Sequence, residues 1–132
     1  MTDEFRPTPR SWLQKFRDAF RGIALGVRGQ ASFGVHLVCA VGVIVAAAFL
    51  RASLSEWCLL LLCITVVFTA EMFNSALEYI AKAIDRRENE LLAAALDIAS
   101  AAVLLAALGA AVVGVIVLLT RLGVRREWWL AP

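Results

Sequence analysis

Three long apolar segments constrain the fold of this chain more than any other feature. The first covers about residues 33–54, the second about 56–84 and the third about 91–120. A helix needs about 20 apolar residues to cross the hydrocarbon core of a bilayer. Because strand edges and loops exposed to lipid leave backbone polar groups unpaired, helices are the spanning form that we expect. The chain is therefore predicted to be all-α, a polytopic membrane protein with three transmembrane helices.

The composition supports a membrane protein and excludes several other classes. Of the 132 residues, 61% are hydrophobic and 18% are charged, whereas soluble domains have about half apolar and a quarter charged residues. This excludes a disordered chain and a nucleic-acid-binding module, so no nucleic-acid partner is expected. An odd number of cysteines without metal-ligand spacing argues against a disulfide framework or a zinc site. The cysteines, all within apolar runs, are Cys39, Cys58 and Cys63.

The segment before the first span reads as a flexible tail followed by an amphipathic helix. Residues 1–10 carry two prolines and both charge signs, and we expect no cleavable signal peptide there. Residues 11–31 repeat large apolar side chains every three or four positions, with basic residues off that stripe, which indicates a helix lying on the membrane surface. Packing on a partner protein is the alternative. Together, residues 11–122 are predicted to form a single domain, and 123–132 a second tail. The apolar stripe consists of Trp12, Phe16, Phe20, Ile23 and Val27.

The distribution of positive charge orients the predicted spans. Nine Lys and Arg residues lie before the first span or between the second and third, and four lie on the other side. The positive-inside rule then places the N-terminus and the 82–90 loop in the cytoplasm, and the C-terminus outside. Trp57, Trp128 and Trp129 are near predicted span ends, as interfacial aromatic residues often are.

Polar residues inside the second and third spans are the most informative functional feature. Glu71, Asn74 and Glu78 follow an i, i+3, i+7 spacing, which places them within an arc of about 60° on one helix face. Asp97 lies early in the third span. Each carboxylate costs about 3 kcal/mol in a membrane by insertion scales. We expect the three acids and the amide to converge about 10–15 Å from the cytoplasmic surface.

Such a cluster suits phosphoryl transfer to a lipid. Carboxylate and amide oxygens are ligands that Mg²⁺ accepts, and Mg²⁺ usually arrives bridging phosphates. A carboxylate held off the metal suits a general base toward a hydroxyl. Two alternatives remain open: hydrogen bonding that only holds helices together, and an ion or proton pathway. His36, the one ionisable group of the first span, is interpreted as a helix-packing or interfacial residue.

Four sequence blocks resemble the small bacterial membrane diacylglycerol kinases and their undecaprenol kinase relatives. EMFNSALE at 71–78 resembles the family's ExxNSAIE signature, and DIASAAVL at 97–104 resembles its KDxxSAAVL block. FRDAFRGI at 16–23 and FGVHLVCAVGVI at 33–44 resemble its surface helix and first span. The similarity covers about residues 12–120.

The resemblance implies an enzyme of the bacterial cytoplasmic membrane. It implies ATP-dependent phosphorylation of diacylglycerol or undecaprenol at the cytoplasmic face, with Mg²⁺, in a homotrimer whose sites lie between subunits. Carried over by position, Glu71 is the general base and Glu78 a magnesium ligand. Asn74 and Asp97 organise the phosphates and the metal.

Three positions depart from the family pattern. Gln30 replaces a glutamate that serves as a second metal ligand, and we retain it as a neutral metal- and nucleotide-binding group. Leu96 replaces a lysine, and Lys82 replaces an aspartate. We hypothesise that Lys82, Arg86 or Arg28 supplies the positive charge that a lysine at position 96 would bring to the phosphates. Lys82 is assigned to nucleotide binding. The alternative is a weak or inactive relative that acts in membrane assembly or an ion pathway.

Overall fold

The described part of the chain is a bundle of four helices. The computed structural model describes residues 11–28, 30–84 and 89–130, with side chains up to residue 123. The helices are α1 (Trp12–Val27), α2 (Ala31–Phe49), α3 (Leu54–Ile84) and α4 (Glu90–Leu130), and no strand occurs in these ranges. The all-α prediction is confirmed.

Three of these helices are long and apolar enough to cross a membrane. They are α2, α3 and the part of α4 within Glu90–Gly123, with mean hydropathy of 2.2, 1.8 and 2.9 over their most apolar windows. The 19 residues of α2 give a length of about 28 Å, close to the hydrocarbon thickness of a bilayer. A shorter helix, α1, precedes them, so the predicted order of elements is confirmed.

The amphipathic helix α1 begins at a capping box. The Ser11 hydroxyl accepts from the Gln14 backbone N–H, and the Gln14 side chain accepts from the Ser11 backbone N–H, which satisfies two donors that the first turn would leave open. Its large apolar side chains are exposed, including Trp12 and Phe20 at 75% and 71%. Its placement on the membrane surface remains a prediction.

The helices α3 and α4 pack together along most of their length, and α2 lies against both. At one end of the bundle the buried residues Ala47, Leu60 and Val117 bring the three helices together. Toward the other end, the rings of Phe33 on α2 and Phe68 on α3 lie 4.8 Å apart. This second end is where the polar face of α3 lies.

An ion pair joins α3 to α4 beside the apolar cluster. Glu56, in the first turn of α3, accepts from the backbone N–H and hydroxyl of Ser53, so its carboxylate also caps the helix. Arg121 on α4 donates from Nε to both oxygens of Glu56, at 2.8 and 2.7 Å. The pair therefore fixes the position of α4 against the start of α3.

Some predictions fall on residues outside the described part of the chain. These are the tail at 1–10, the side chains of Arg86 and Arg87, and the side chains of Trp128 and Trp129. The segment assigned to a C-terminal tail is helical as far as Leu130, because α4 continues beyond the predicted end of the third span at residue 120.

Candidate active site

One face of α3 carries the buried polar side chains of the part of the chain that the structure describes. Glu71 and Ser75 are each 1% exposed and Asn74 is 8% exposed, and they are the buried polar side chains of the described residues. Glu78, one turn beyond Asn74, keeps 28% of its side chain exposed. Because α3 is an unbroken helix from Leu54 to Ile84, the spacing in the sequence becomes one continuous polar stripe, as predicted.

The start of α2 surrounds the carboxylate of Glu71. Ser32 donates from Oγ to Glu71 Oε2 at 3.2 Å, and His36 Nε2 lies 3.2 Å from Oε1. Ser32 and His36 are one helical turn apart and therefore share a face of α2. Oε1 is buried and has no hydrogen bond within the described part of the chain, so His36 lies at contact distance without the geometry of a hydrogen bond.

The carboxylate of Glu78 is the centre of a second group of contacts. Gln30 donates from Nε2 to Oε2 at 2.9 Å, and Asn74 donates from Nδ2 to Oε1 at 3.4 Å. Lys82, one turn further along α3, has its Nζ 3.4 Å from Oε2. Four of the predicted site residues, Gln30, Asn74, Glu78 and Lys82, are thus brought together within one chain.

The end of α1 is docked against α3 beside this group. The Ser75 hydroxyl donates to the carbonyl oxygen of Gly26 at 3.0 Å. A Cβ at Gly26 would lie 2.6 Å from Met72 Sδ, so only glycine allows this approach without displacement of Met72. The contact fixes the chain four residues before Gln30, and it therefore helps to position the Gln30 side chain at Glu78.

Asp97 does not join the other acids within one chain, and this corrects the predicted convergence. It is exposed, and within the ranges that the structure describes it makes no hydrogen bond or ion pair. The helix α4 buries Ala99 and Val103, and Asp97 is rotated about 200° from Ala99 around the helix axis. The prediction considered the depth of the residues along their helices and left out their angular position around the helix axes.

The other positions that depart from the family pattern also have defined surroundings. Leu96 is partly buried at the edge of the packed face of α4, and Arg28 is exposed just after α1. Arg86 lies outside the described residues. The structure describes two of the cations considered for the nucleotide, Arg28 and Lys82, and of these Lys82 lies at Glu78.

The group around Glu78 has the donor chemistry that suits Mg²⁺. Its oxygens come from one carboxylate and two amides, and Asn74 Oδ1 is buried without a hydrogen-bond partner among the described residues. Mg²⁺ is commonly held by one or two carboxylates, with water and phosphate oxygens completing the octahedron. No cluster of three or more His, Cys, Asp or Glu residues forms in the described ranges, so one chain would supply few charged ligands.

Sequence reasoning missed two neighbours of Glu71 and one contact of α1. The sequence pattern does not single out Ser32 or Ser75, and it predicts a packing or interfacial role for His36. A helical-wheel comparison shows that Ser32 and His36 share a face, but nothing local indicates that this face meets Glu71. That information lies in the packing of α2 on α3.

Comparison with known proteins assigns the chain to a family. The model of the family described as prokaryotic diacylglycerol kinase matches residues 17–118. This range includes the residues around Glu71, those around Glu78, and Asp97. The chain belongs to the prokaryotic diacylglycerol kinase family. Members of this family are lipid kinases, and the chain is accordingly a membrane-embedded lipid kinase.

Two curated relatives support this assignment. Undecaprenol kinase of Bacillus subtilis is 29% identical over 111 residues, which cover 84% of this chain and 90% of that protein. Diacylglycerol kinase of Synechocystis sp. is 35% identical over 103 residues, which cover 77% of this chain and 59% of that protein. No solved structure matches the chain significantly.

Proposed function

We propose that this kinase transfers the terminal phosphoryl group of ATP to the hydroxyl of diacylglycerol or undecaprenol. The reaction would take place at the cytoplasmic face of the bacterial inner membrane, with the N-terminus in the cytoplasm and Mg²⁺ as the metal. The observation that carries the proposal is Glu71, a 1% exposed carboxylate in a membrane-spanning helix whose Oε1 has no hydrogen bond among the described residues. Such a costly group indicates a functional role.

Glu71 is assigned the role of general base. Its Oε1 accepts the proton of the lipid hydroxyl while the new oxygen–phosphorus bond forms, and the bond from phosphorus to the departing ADP breaks. Ser32 holds Oε2, which fixes the carboxylate plane and leaves Oε1 for the proton. General-base catalysis by a positioned side chain contributes about 10²–10⁴-fold to a rate.

The group around Glu78 is assigned to the metal and nucleotide. Glu78, Gln30 and Asn74 would hold Mg²⁺, which neutralises charge on the phosphates when it is bound. Both amides now direct their NH₂ groups at Glu78, and rotation of each amide would present its oxygen instead. Lys82 adds the positive charge nearest to Glu78 among the described residues.

Asp97 is assigned to the site of a neighbouring copy in a homotrimer. Its exposure on α4 supports this arrangement, because a carboxylate facing lipid alone would be unfavourable. Large apolar side chains surround it on the same helix, including Ile98 at 72% exposure. A second copy packed on this face would cover both kinds of residue and complete a site between subunits.

The test is lipid phosphorylation by the purified protein in vesicles with Mg²⁺ and labelled ATP. The vesicles contain either diacylglycerol or undecaprenol, and labelled lipid is the measured product. We expect product from at least one of the two lipids. Glu71→Gln should lower kcat by about 100-fold or more, because an amide cannot accept the proton. Sizing chromatography should show that the variant keeps its oligomeric state.

A matched control is Glu90→Gln, the same change at an exposed carboxylate in the first turn of α4. It should leave turnover unchanged. Wild-type turnover in Glu71→Gln would show that the base is assigned wrongly. Absence of labelled product from both lipids with wild-type protein would contradict the proposed reaction and favour the alternative role in assembly or ion passage.

A further inference from the structure

His36 has a position that packing does not explain. It is the single histidine of the chain, and its Nε2 lies 3.2 Å from the unbonded oxygen of Glu71. The His36 side chain is 22% exposed, whereas that of Glu71 is 1% exposed. Among the described residues, His36 is thus the polar side chain that connects this buried oxygen with the surroundings.

Among the residues that line its surroundings in the described ranges, His36 has no competing base beside it. His36 is one of the residues that line a cavity of about 480 Å³ between α2, α3 and α4. The remaining titratable groups along that cavity are the thiols of Cys39 on α2 and Cys63 on α3, and α4 contributes apolar residues such as Ala107 and Leu108. Glu71 is therefore the carboxylate that faces the imidazole within the described part of the chain.

A buried base needs a route by which its proton leaves. After each turnover, Glu71 would be left neutral and must lose the proton before it can act again. Ser32 cannot take it, because its hydroxyl already donates to Oε2 and is not a base near neutral pH. Imidazole is the side chain that ordinarily accepts and releases protons in this range. His36 lies in the second turn of α2, about 8 Å from the start of the helix, and we expect interfacial water to reach it there.

We propose that His36 is a positioning residue that relays the proton from Glu71 to water. The inference rests on the proposed role of Glu71 as general base. In the relay, the O–H bond of the protonated Glu71 Oε1 breaks and an N–H bond forms at His36 Nε2. The imidazolium stands beside a carboxylate that is ionised again, and water then takes the proton. No other group changes its bonding.

Chemical rescue tests the relay. We expect His36→Ala to lower kcat by about 10- to 100-fold, the usual cost of losing a residue that supports an active-site group. The KM for Mg-ATP should be unchanged, because His36 does not touch the Glu78 group. Imidazole added to the buffer should restore turnover, and substituted imidazoles should do so in the order of their basicity. A residue needed only for packing would not give such an order.

Two variants complete the test. His36→Gln keeps a hydrogen-bonding side chain of similar length and fills the space, so it should fold normally, lose the same turnover and show no rescue. Cys39→Ala, one turn away on the same cavity, should keep wild-type turnover and show no response to imidazole. Wild-type turnover in His36→Gln would overturn the relay.

Nuclear magnetic resonance gives a readout that is independent of turnover. Because the chain has one histidine, the imidazole ¹⁵N signals of the full-length protein in lipid nanodiscs report on His36 alone. We expect Glu71→Gln to change these signals and their dependence on pH, and Glu78→Gln to leave them unchanged. Identical signals in wild type and Glu71→Gln would overturn the proposed contact.

The two proposals fail in different ways. Absence of lipid phosphorylation by the wild-type protein would remove the proposed function and the relay with it. The relay alone would be overturned if wild-type protein phosphorylates lipid, Glu71→Gln does not, and His36→Ala keeps full turnover. It would also be overturned if His36→Ala loses turnover and imidazole does not restore it. In both cases the proposed function would remain in place.

Discussion

Lys82 differs from the residue that the resemblance implies at its position, and it lies directly at the candidate site. Its Nζ lies 3.4 Å from Glu78 Oε2, and 71% of its side chain is exposed. The resemblance described in the sequence analysis implies a lysine where this chain has Leu96, and on that reading this source of positive charge is absent. A lysine stem is long and flexible, and under the proposed function Lys82 would move from Glu78 to a phosphate once the carboxylate binds Mg²⁺.

We expect Lys82→Ala to raise the KM for Mg-ATP about tenfold, which corresponds to about 1.4 kcal/mol, with a smaller effect on kcat. The physical reason is the loss of a charge-assisted contact to phosphate. Lys82→Arg should retain most of the affinity. The control is Lys15→Ala, which removes an exposed lysine over Trp12 on α1. An unchanged KM in Lys82→Ala would remove Lys82 from the nucleotide site.

The residue scale also shows what can be predicted from one sequence. The shared face of Glu71, Asn74 and Glu78 follows from helix periodicity, and the structure places them there. The angular position of Asp97 depends on which side of α4 packs on α3, and an almost uniformly apolar helix does not reveal that side. The contact of His36 with Glu71 depends on how two helices dock, and it carries no local signature.

At the scale of elements, the docking of α1 on α3 controls the position of Gln30. The Gly26 carbonyl accepts from Ser75, and Gly26 lies against Met72. A helix that followed its amphipathic pattern alone could lie anywhere on the membrane surface. The contacts of Gly26 instead pack the end of α1 against α3. Gln30, which contacts Glu78, follows four residues later.

We expect Gly26→Leu to weaken this docking. The new side chain cannot fit where a Cβ alone would lie 2.6 Å from Met72 Sδ, and such overpacking costs about 1–3 kcal/mol. Thermal unfolding in detergent should show a lower Tm, and the KM for Mg-ATP should rise because Gln30 moves. Gly26→Ala should be much milder, since the flexible end of Met72 can shift.

The control for this prediction is Gly22→Leu on the same helix, where a Cβ would meet nothing within 4 Å. It makes the same change of size without a neighbouring atom in the way. If Gly26→Leu and Gly22→Leu behaved alike, the docking contact would have no role in positioning Gln30.

At the scale of the whole molecule, one chain exposes an unusual amount of apolar surface. Leu105 and Val112 on α4 are 71% and 59% exposed, and Val38 on α2 is 73% exposed. Lipid covers such surfaces in a membrane, as a second copy of the chain also would. The exposed Asp97 favours a second copy over part of α4, because lipid gives a carboxylate no partner.

Mixing two inactive variants tests this arrangement. Glu71→Gln and Asp97→Asn should each lose nearly all turnover alone. If sites form between subunits, co-assembly in equal amounts should restore about a quarter of wild-type activity, since random mixing in a ring gives that share of intact sites. Separately purified variants combined without subunit exchange are the control and should stay inactive. Co-assembled oligomers without activity would place each complete site within one chain.

The ion pair of Glu56 and Arg121 has a mechanical consequence for the whole bundle. Its two hydrogen bonds, at 2.8 and 2.7 Å, join α3 and α4 at the end remote from Glu78 and Asp97. A planar guanidinium held by both carboxylate oxygens permits little sliding. The short connection from Ile84 to Glu90 joins the same two helices at the opposite end. Because α3 and α4 are held at both ends, we expect them to move as one unit, so that nucleotide and lipid reach Glu78 without separation of the two helices.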